Sequence, residues 1–100
     1  MIEVVWEFIV KSERVDEFVD AYGPVGAWSA LFSEFEGYRG TRLYSDVDRP
    51  NRFLTIDVWD SAAARERMFE LAGERYARLD REFEGLTESE REIGAFEPQK

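Results

Sequence analysis

An α+β architecture with the element order β-α-β-β-α-β and one four-stranded antiparallel sheet is predicted by three features of this 100-residue chain. The N-terminal segment places apolar residues with a period of two. Two later segments repeat them every three and four residues, and a polar hexapeptide joins two stretches rich in β-branched and aromatic side chains. That order is the split βαβ arrangement, in which both helices cover one face of the sheet.

The first strand spans about residues 2–10, with Ile2, Val4, Trp6, Phe8 and Val10 on one face and Glu3, Val5, Glu7 and Ile9 on the other. Ser12 is the expected N-cap of a helix over about 13–35, in which Val15, Phe18, Val19 and Tyr22 repeat at helical spacing. Gly23-Pro24-Val25-Gly26 breaks it, because proline has no amide hydrogen and disfavours helix in the residue before it. Trp28, Leu31, Phe32 and Phe35 resume the period, and Gly37 provides a left-handed stop.

Strands are expected over about 38–45 and 52–60, flanking the turn-forming Asp46-Val47-Asp48-Arg49-Pro50-Asn51. Asp60 or Ser61 caps a second helix over 61–83, where Met68, Leu71, Ala72, Tyr76, Leu79 and Phe83 form the apolar stripe. On its polar side, Glu74 with Arg78 and Arg78 with Glu82 have the spacing of ion pairs. A last strand falls at about 91–96, and Pro98 ends the fold. The whole of 1–100 reads as one domain. Apolar residues stand on both faces of the first and third strands, so the face without helices is expected to pack on its copy across a twofold axis as a homodimer.

Composition narrows the chemistry. Hydrophobic residues make up 44% and aromatics 15%, enough for a core. Thirteen basic against 22 acidic residues give a net charge of −9, which repels phosphate backbones and anionic lipid, so neither nucleic acid nor membrane is an expected partner. The absence of Cys and His removes disulfides, structural zinc, cysteine nucleophiles, serine triads and haem ligation by histidine. No run approaches the roughly 20 apolar residues of a membrane span. Glu3 and Glu7 stand where a secretion signal would be apolar, so a cytoplasmic location is expected.

Asp46-x-Asp48 has the opening of a calcium loop, but Pro50, Asn51 and Asp57 stand where a ligand, the turn glycine and the closing glutamate belong, which favours a hairpin turn and no metal site. Gly23-x-x-Gly26 and Gly37-x-x-Gly40 lack the basic surround of a phosphate cradle and read as turn and packing glycines. Glu7 and Asp57 are lone acids in apolar strands, where burial raises a carboxyl's pKa and makes it a proton carrier; an edge or interface position accounts for each equally. Trp6, Tyr22, Trp28, Tyr44, Trp59 and Tyr76 are spread over every main element, suited to filling a core or to walling a pocket for a flat apolar ligand, with the break at 23–26 as its lip.

Three stretches carry a resemblance: Ala21-Tyr22-Gly23-Pro24-Val25-Gly26-Ala27-Trp28; Gly37-Tyr38-Arg39-Gly40-Thr41 leading into Asp46 to Leu54; and Trp59-Asp60-Ser61. Together they resemble the antibiotic biosynthesis monooxygenase family of dimeric α/β barrels, over Ile2 to about Phe96. The resemblance implies a ferredoxin-like dimer with a pocket between sheet and helices. It also implies, for some members, oxygenation of aromatic polyketides without metal, flavin or haem, the deprotonated substrate itself reducing dioxygen. Trp59 matches a pocket tryptophan of the polyketide-oxidising branch; Thr55 stands where that branch has Asn, and Arg65 where it has Tyr. The haem-degrading branch needs a histidine this chain lacks, and Trp6 occupies the position of its asparagine.

The expectation is therefore a cofactor-independent oxygenase of a small aromatic or apolar substrate, consuming dioxygen. Trp59, Thr55 and Arg65 are its candidate catalytic residues, Arg65 steadying a substrate anion, and Trp6, Tyr22, Trp28 and Tyr76 its pocket. The alternatives are a non-catalytic dimeric ligand-binding or accessory protein, and a cyclase or isomerase using Glu7 or Asp57 as base.

Overall fold

The computed structural model describes residues 1–100. Its strands are β1 (Ile2–Val10), β2 (Tyr38–Ser45), β3 (Arg52–Trp59) and β4 (Thr87–Phe96), and its helices α1 (Val15–Tyr22), α2 (Ala27–Phe32), α3 (Ala62–Ala72) and α4 (Glu74–Phe83). Single 3-10 turns at Ser12–Arg14 and Glu84–Leu86 lead into α1 and β4. One antiparallel sheet of order β2-β3-β1-β4 puts the two most apolar strands at its centre. This is the α+β, ferredoxin-like arrangement read from the sequence. No helix is long and apolar enough to cross a membrane.

Burial decides which face of the sheet meets the helices. Val4, Phe8 and Val10 of β1 and Phe53, Thr55 and Trp59 of β3 are buried beneath Phe18, Tyr22, Trp28, Leu31, Phe32 and Met68. Each large apolar side chain fully removed from water there contributes roughly 1.5–3 kcal/mol. The period-two rule then puts Val5, Ile9, Leu54, Ile56 and Val58 on the opposite face, each partly exposed and with no second layer from this chain.

The helices depart from the sequence reading in four places. The second is not continuous over 61–83: Gly73, at φ +49, ends α3 and starts α4, a left-handed conformation that glycine adopts without steric cost. Its amide still bonds Phe69 O at 3.1 Å, so the chain turns without leaving that donor unpaired. Ser12 does not cap α1; it begins the 3-10 turn, and no side chain caps either segment there. Ser61 does cap α3, its Oγ accepting from the Ala64 amide at 3.1 Å. α2 stops at Phe32, short of Phe35, before Gly37 at φ +93. On α4, Glu74 is taken by Arg81 two turns on, at 2.8 Å, and neither pair expected of Arg78 forms.

The break at 23–26 lies between α1 and α2 as read. The Gly23 amide still caps α1 on Val19 O at 3.0 Å. Gly26 then passes so close to the end of α1 that a Cβ there would lie 2.3 Å from Asp20 O and 2.4 Å from Ala21 O. Only glycine fits. The last strand is longer than 91–96 because it pairs with β1 from Val10↔Thr87 to Glu3↔Phe96, carried past its polar residues by two register shifts.

Candidate functional site

A cavity of about 50 Å³ lies between the helix-covered face of the sheet and α1, α2 and α4. Its rings are Trp6 from β1, Tyr22 from α1, Trp28 and Phe32 from α2, and Tyr76 from α4. Its polar wall is Thr41, Thr55 and Asp57, with Asp80 and Glu90 completing the lining. Strand geometry assembles the floor. Trp6 is directly opposite Thr55 across the β1–β3 ladder, Asp57 follows Thr55 on the same face, and Thr41 is opposite Asp57 on β2. The roof is Trp28, whose ring lies 4.9 Å from Tyr76, 5.8 Å from Phe32 and 6.1 Å from Tyr22. A volume of about 50 Å³ holds about three water molecules, so a polycyclic ligand enters only if the roof moves.

Asp57 is the chemically distinctive group. Burial pushes its carboxyl up to about 6, against the lowering effects of the Thr41 hydroxyl and the Arg65 charge. Thr41 Oγ1 lies 2.7 Å from Asp57 Oδ1 and is itself hydrogen-bonded to the Tyr38 phenol. Burial raises the Tyr76 phenol to about 12 and also raises Tyr38 and Tyr22, so all three remain hydrogen-bond donors at neutral pH. The Glu90 carboxyl is raised by burial and by the neighbouring Asp80 and Glu84 charges. Trp28 Nε1 is buried beside the Tyr22 phenol, without a well-aligned acceptor. No group of three or more carboxylates converges closely enough to hold a metal ion.

Among the residues singled out from sequence, Trp6, Tyr22, Trp28, Thr55 and Tyr76 come together around this cavity. Trp59 does not reach its wall: it is 1% exposed, packed edge-on against Phe32 at 5.5 Å and against Tyr38 at 5.2 Å. Arg65 also stands off, its guanidinium 2.6 Å from Glu92 and 5.1 Å from the centre of the Phe69 ring. Its field still reaches Asp57 and Tyr76.

Glu7 is on the other face of the sheet, where Arg52 at 2.6 Å and Arg91 at 3.2 Å hold its carboxyl below the usual range. That removes it as a cavity base. Tyr44 is 48% exposed and opposite Leu54 on that same face. Asp46 spends its carboxylate on the Asp48 amide at 2.8 Å and on Arg52 at 2.9 Å, as a hairpin turn requires. Thr41, Asp80, Glu90 and Tyr38 were not singled out from the sequence. Strict alternation from Tyr38 would put Thr41 on the opposite face of the sheet, and the register shift between Tyr38 and Gly40 is what turns it to the cavity.

The chain matches the family profile described as antibiotic biosynthesis monooxygenase over residues 1–71. Among solved structures, it is similar to a variant of SnoaB, a cofactor-independent oxygenase from Streptomyces nogalater. The TM-score is 0.77 at 22% identity, over 99% of this chain and 93% of that one. An antibiotic biosynthesis monooxygenase is similar at 0.69 and 17% identity, over 100% of both chains. A conserved protein from Methanosarcina mazei Go1 is similar at 0.72 and 16%, over 98% and 92%. A comparison with curated protein sequences gives no significant match. With residues 1–71 of its 100 matched by that profile, the chain belongs to the antibiotic biosynthesis monooxygenase family.

Proposed function

We propose that the protein is a cofactor-independent oxygenase of a small aromatic or polycyclic molecule bearing an acidic C–H or O–H. The observation that carries this reading is Asp57: a carboxyl of raised proton affinity on the wall of a cavity otherwise built of rings. Near neutral pH it is ionised and enclosed, which suits it to take a proton from a bound substrate. The electron-rich anion left behind reduces dioxygen. One oxygen atom enters the product as a carbonyl and the other leaves as water with the two hydrogens lost from substrate. The protein then has to bind, orient and stabilise charge. Thr55 on the floor is the donor placed to meet an oxyanion.

Trp59 backs this wall through Phe32 and Tyr38, and Arg65 acts on it only at a distance. SnoaB, similar in fold over nearly the full length, is a cofactor-independent oxygenase, which favours the same class of chemistry here. The uncovered sheet face supports a homodimer: Val5, Leu54, Ile56 and Val58 form an apolar strip beside the Glu7–Arg52 and Glu3–Arg42 pairs.

A cavity base without a metal cluster also fits an isomerase or cyclase, and a small cavity of about 50 Å³ fits a simple binding protein. Oxygen uptake with anthrone as probe, run aerobically and anaerobically, separates the three. An oxygenase consumes dioxygen and stops without it; an isomerase turns over without it; a binding protein shifts its tryptophan fluorescence and does neither.

A further inference from the structure

The cavity carboxyl is one end of a line of hydroxyl groups that leads back to the helix break. Asp57 Oδ1 is 2.7 Å from Thr41 Oγ1, and Thr41 Oγ1 is 2.5 Å from the Tyr38 phenol oxygen. The Tyr38 oxygen is 3.1 Å from Ser29 Oγ, and Ser29 Oγ is 3.1 Å from the Gly23 carbonyl oxygen. These four contacts join β3, β2, α2 and the end of α1. Ser29 and Thr41 are buried.

The hydrogens along this line do not balance for an ionised carboxylate. Three hydroxyls supply three hydrogens to four contacts, so one contact is left as two oxygens facing each other without a hydrogen. A protonated Asp57 supplies the fourth, and a single order then satisfies every contact. Asp57 donates to Thr41, Thr41 to Tyr38, Tyr38 to Ser29, and Ser29 to the Gly23 carbonyl, which only accepts.

We propose that Tyr38, with Ser29 behind it, is a positioning residue that makes Asp57 the proton acceptor of the cavity, by closing a hydroxyl chain that is complete only when Asp57 carries a proton. This rests on the reading of Asp57 as the group that takes the substrate's proton. In that step the substrate's C–H or O–H bond breaks and an O–H bond forms on Asp57. The electron pair stays on the substrate, and the Thr41 hydroxyl turns from Asp57 towards Tyr38. Thr41 by itself favours the carboxylate, because its O–H has nowhere else to point; Tyr38 gives it another acceptor. Removing either Tyr38 Oη or Ser29 Oγ leaves the ionised form fully hydrogen-bonded and the protonated form short of one acceptor. The proton affinity of Asp57 then falls. The other charged or titratable groups around Asp57 are Arg65 from α3, Tyr76 and Asp80 from α4, and Glu90 from β4, and these variants leave all of them in place.

The test is a carbon-13 NMR pH titration of the Asp57 carboxyl and the Tyr38 Cζ in the intact wild-type protein and in Tyr38→Phe, Ser29→Ala and Thr41→Ser. In the wild type, Tyr38 Cζ should move with the Asp57 midpoint, because the Thr41 hydroxyl turns from the phenol to Asp57 when Asp57 ionises. In Tyr38→Phe and Ser29→Ala the proton affinity of Asp57 should drop roughly tenfold, the equivalent of about one hydrogen bond. Thr41→Ser, which keeps the hydroxyl, should titrate as wild type. A Tyr38 Cζ shift indifferent to Asp57 overturns the proposal without any variant, and so does an unchanged Asp57 midpoint in Ser29→Ala should Tyr38→Phe not fold. Coincident titrations in a protein that consumes no oxygen would overturn the oxygenase reading alone. Oxygen uptake with unmoved midpoints would overturn this inference alone.

Discussion

The rings of Trp28 and Tyr76 lie 4.9 Å apart, and that contact bridges α2 to α4 over the cavity. It brings together two segments that each follow a helix interruption, one at Gly23–Gly26 and one at Gly73. The roof is therefore held by side chains from two separate helical segments, α2 and α4. Trp28→Ala should cost about 3–5 kcal/mol in urea unfolding while admitting larger aromatic probes, read as faster binding. A loss under 1 kcal/mol with unchanged binding would mean that Trp28 does not close the roof.

Gly26 permits the chain reversal that places Trp28. A methyl group there would lie 2.3 Å from the Asp20 carbonyl oxygen, so Gly26→Ala should destabilise by roughly 2 kcal/mol. Gly85→Ala is the control, since a Cβ there meets nothing within 4 Å. Equal unfolding midpoints for the two variants would refute the close approach.

Asp57 ties stability to pH with a definite sign. Its carboxyl is raised from an ordinary value of 3.8 to about 6 in the folded protein, so between those values the native state holds more protons than the unfolded chain. Its contribution is fully present below about pH 4 and is lost as pH rises through about 6, by up to roughly 3 kcal/mol. Glu7, Asp46, Glu17 and Glu74 have lowered values and pull the other way, so the difference between wild type and Asp57→Asn isolates the effect. The wild type should lose stability relative to Asp57→Asn across that window. Parallel curves would place Asp57 in water.

The uncovered sheet face makes a prediction about assembly. Ile56 is at the middle of β3, opposite Val5 of β1 and Arg42 of β2. Ile56→Glu should convert a wild-type dimer into a monomer in sedimentation at micromolar concentration, without changing the near-ultraviolet signal of the helix-side core. A wild-type protein that sediments as a single chain would remove the dimer from the account.

The alternation of β1, the hairpin and the helix break were legible because each rests on local chemistry: period two in β1, turn residues at Asp46–Asn51, and Pro24 between two glycines. Which face meets the helices was not legible, since β1 and β3 carry apolar residues on both and only burial separates them. Trp6, Tyr22, Trp28 and Tyr76 stood out in sequence as rings spread over separate elements, and only tertiary packing gathers them around one cavity. The division of the second helix at Gly73 was not legible, because a lone glycine in a helical stripe is tolerated as well as able to stop the helix, and only its positive φ shows which. Trp59 and Arg65 were placed by resemblance, and packing sent one into the core and the other to Glu92. The hydroxyl chain from Asp57 to Gly23 was invisible, since it joins residues up to 34 positions apart and passes a strand irregularity at Arg39.

The role of Asp57 is tested most directly by the pH–rate profile of oxygen uptake, with anthrone as probe, in the wild type and in Asp57→Asn. The wild-type rate should rise through about pH 6 as the carboxyl ionises, and Asp57→Asn should lose that limb together with about 10²–10⁴-fold of the rate. A variant that consumes oxygen at the wild-type rate with the same pH limb would contradict the assignment of Asp57 as the proton acceptor.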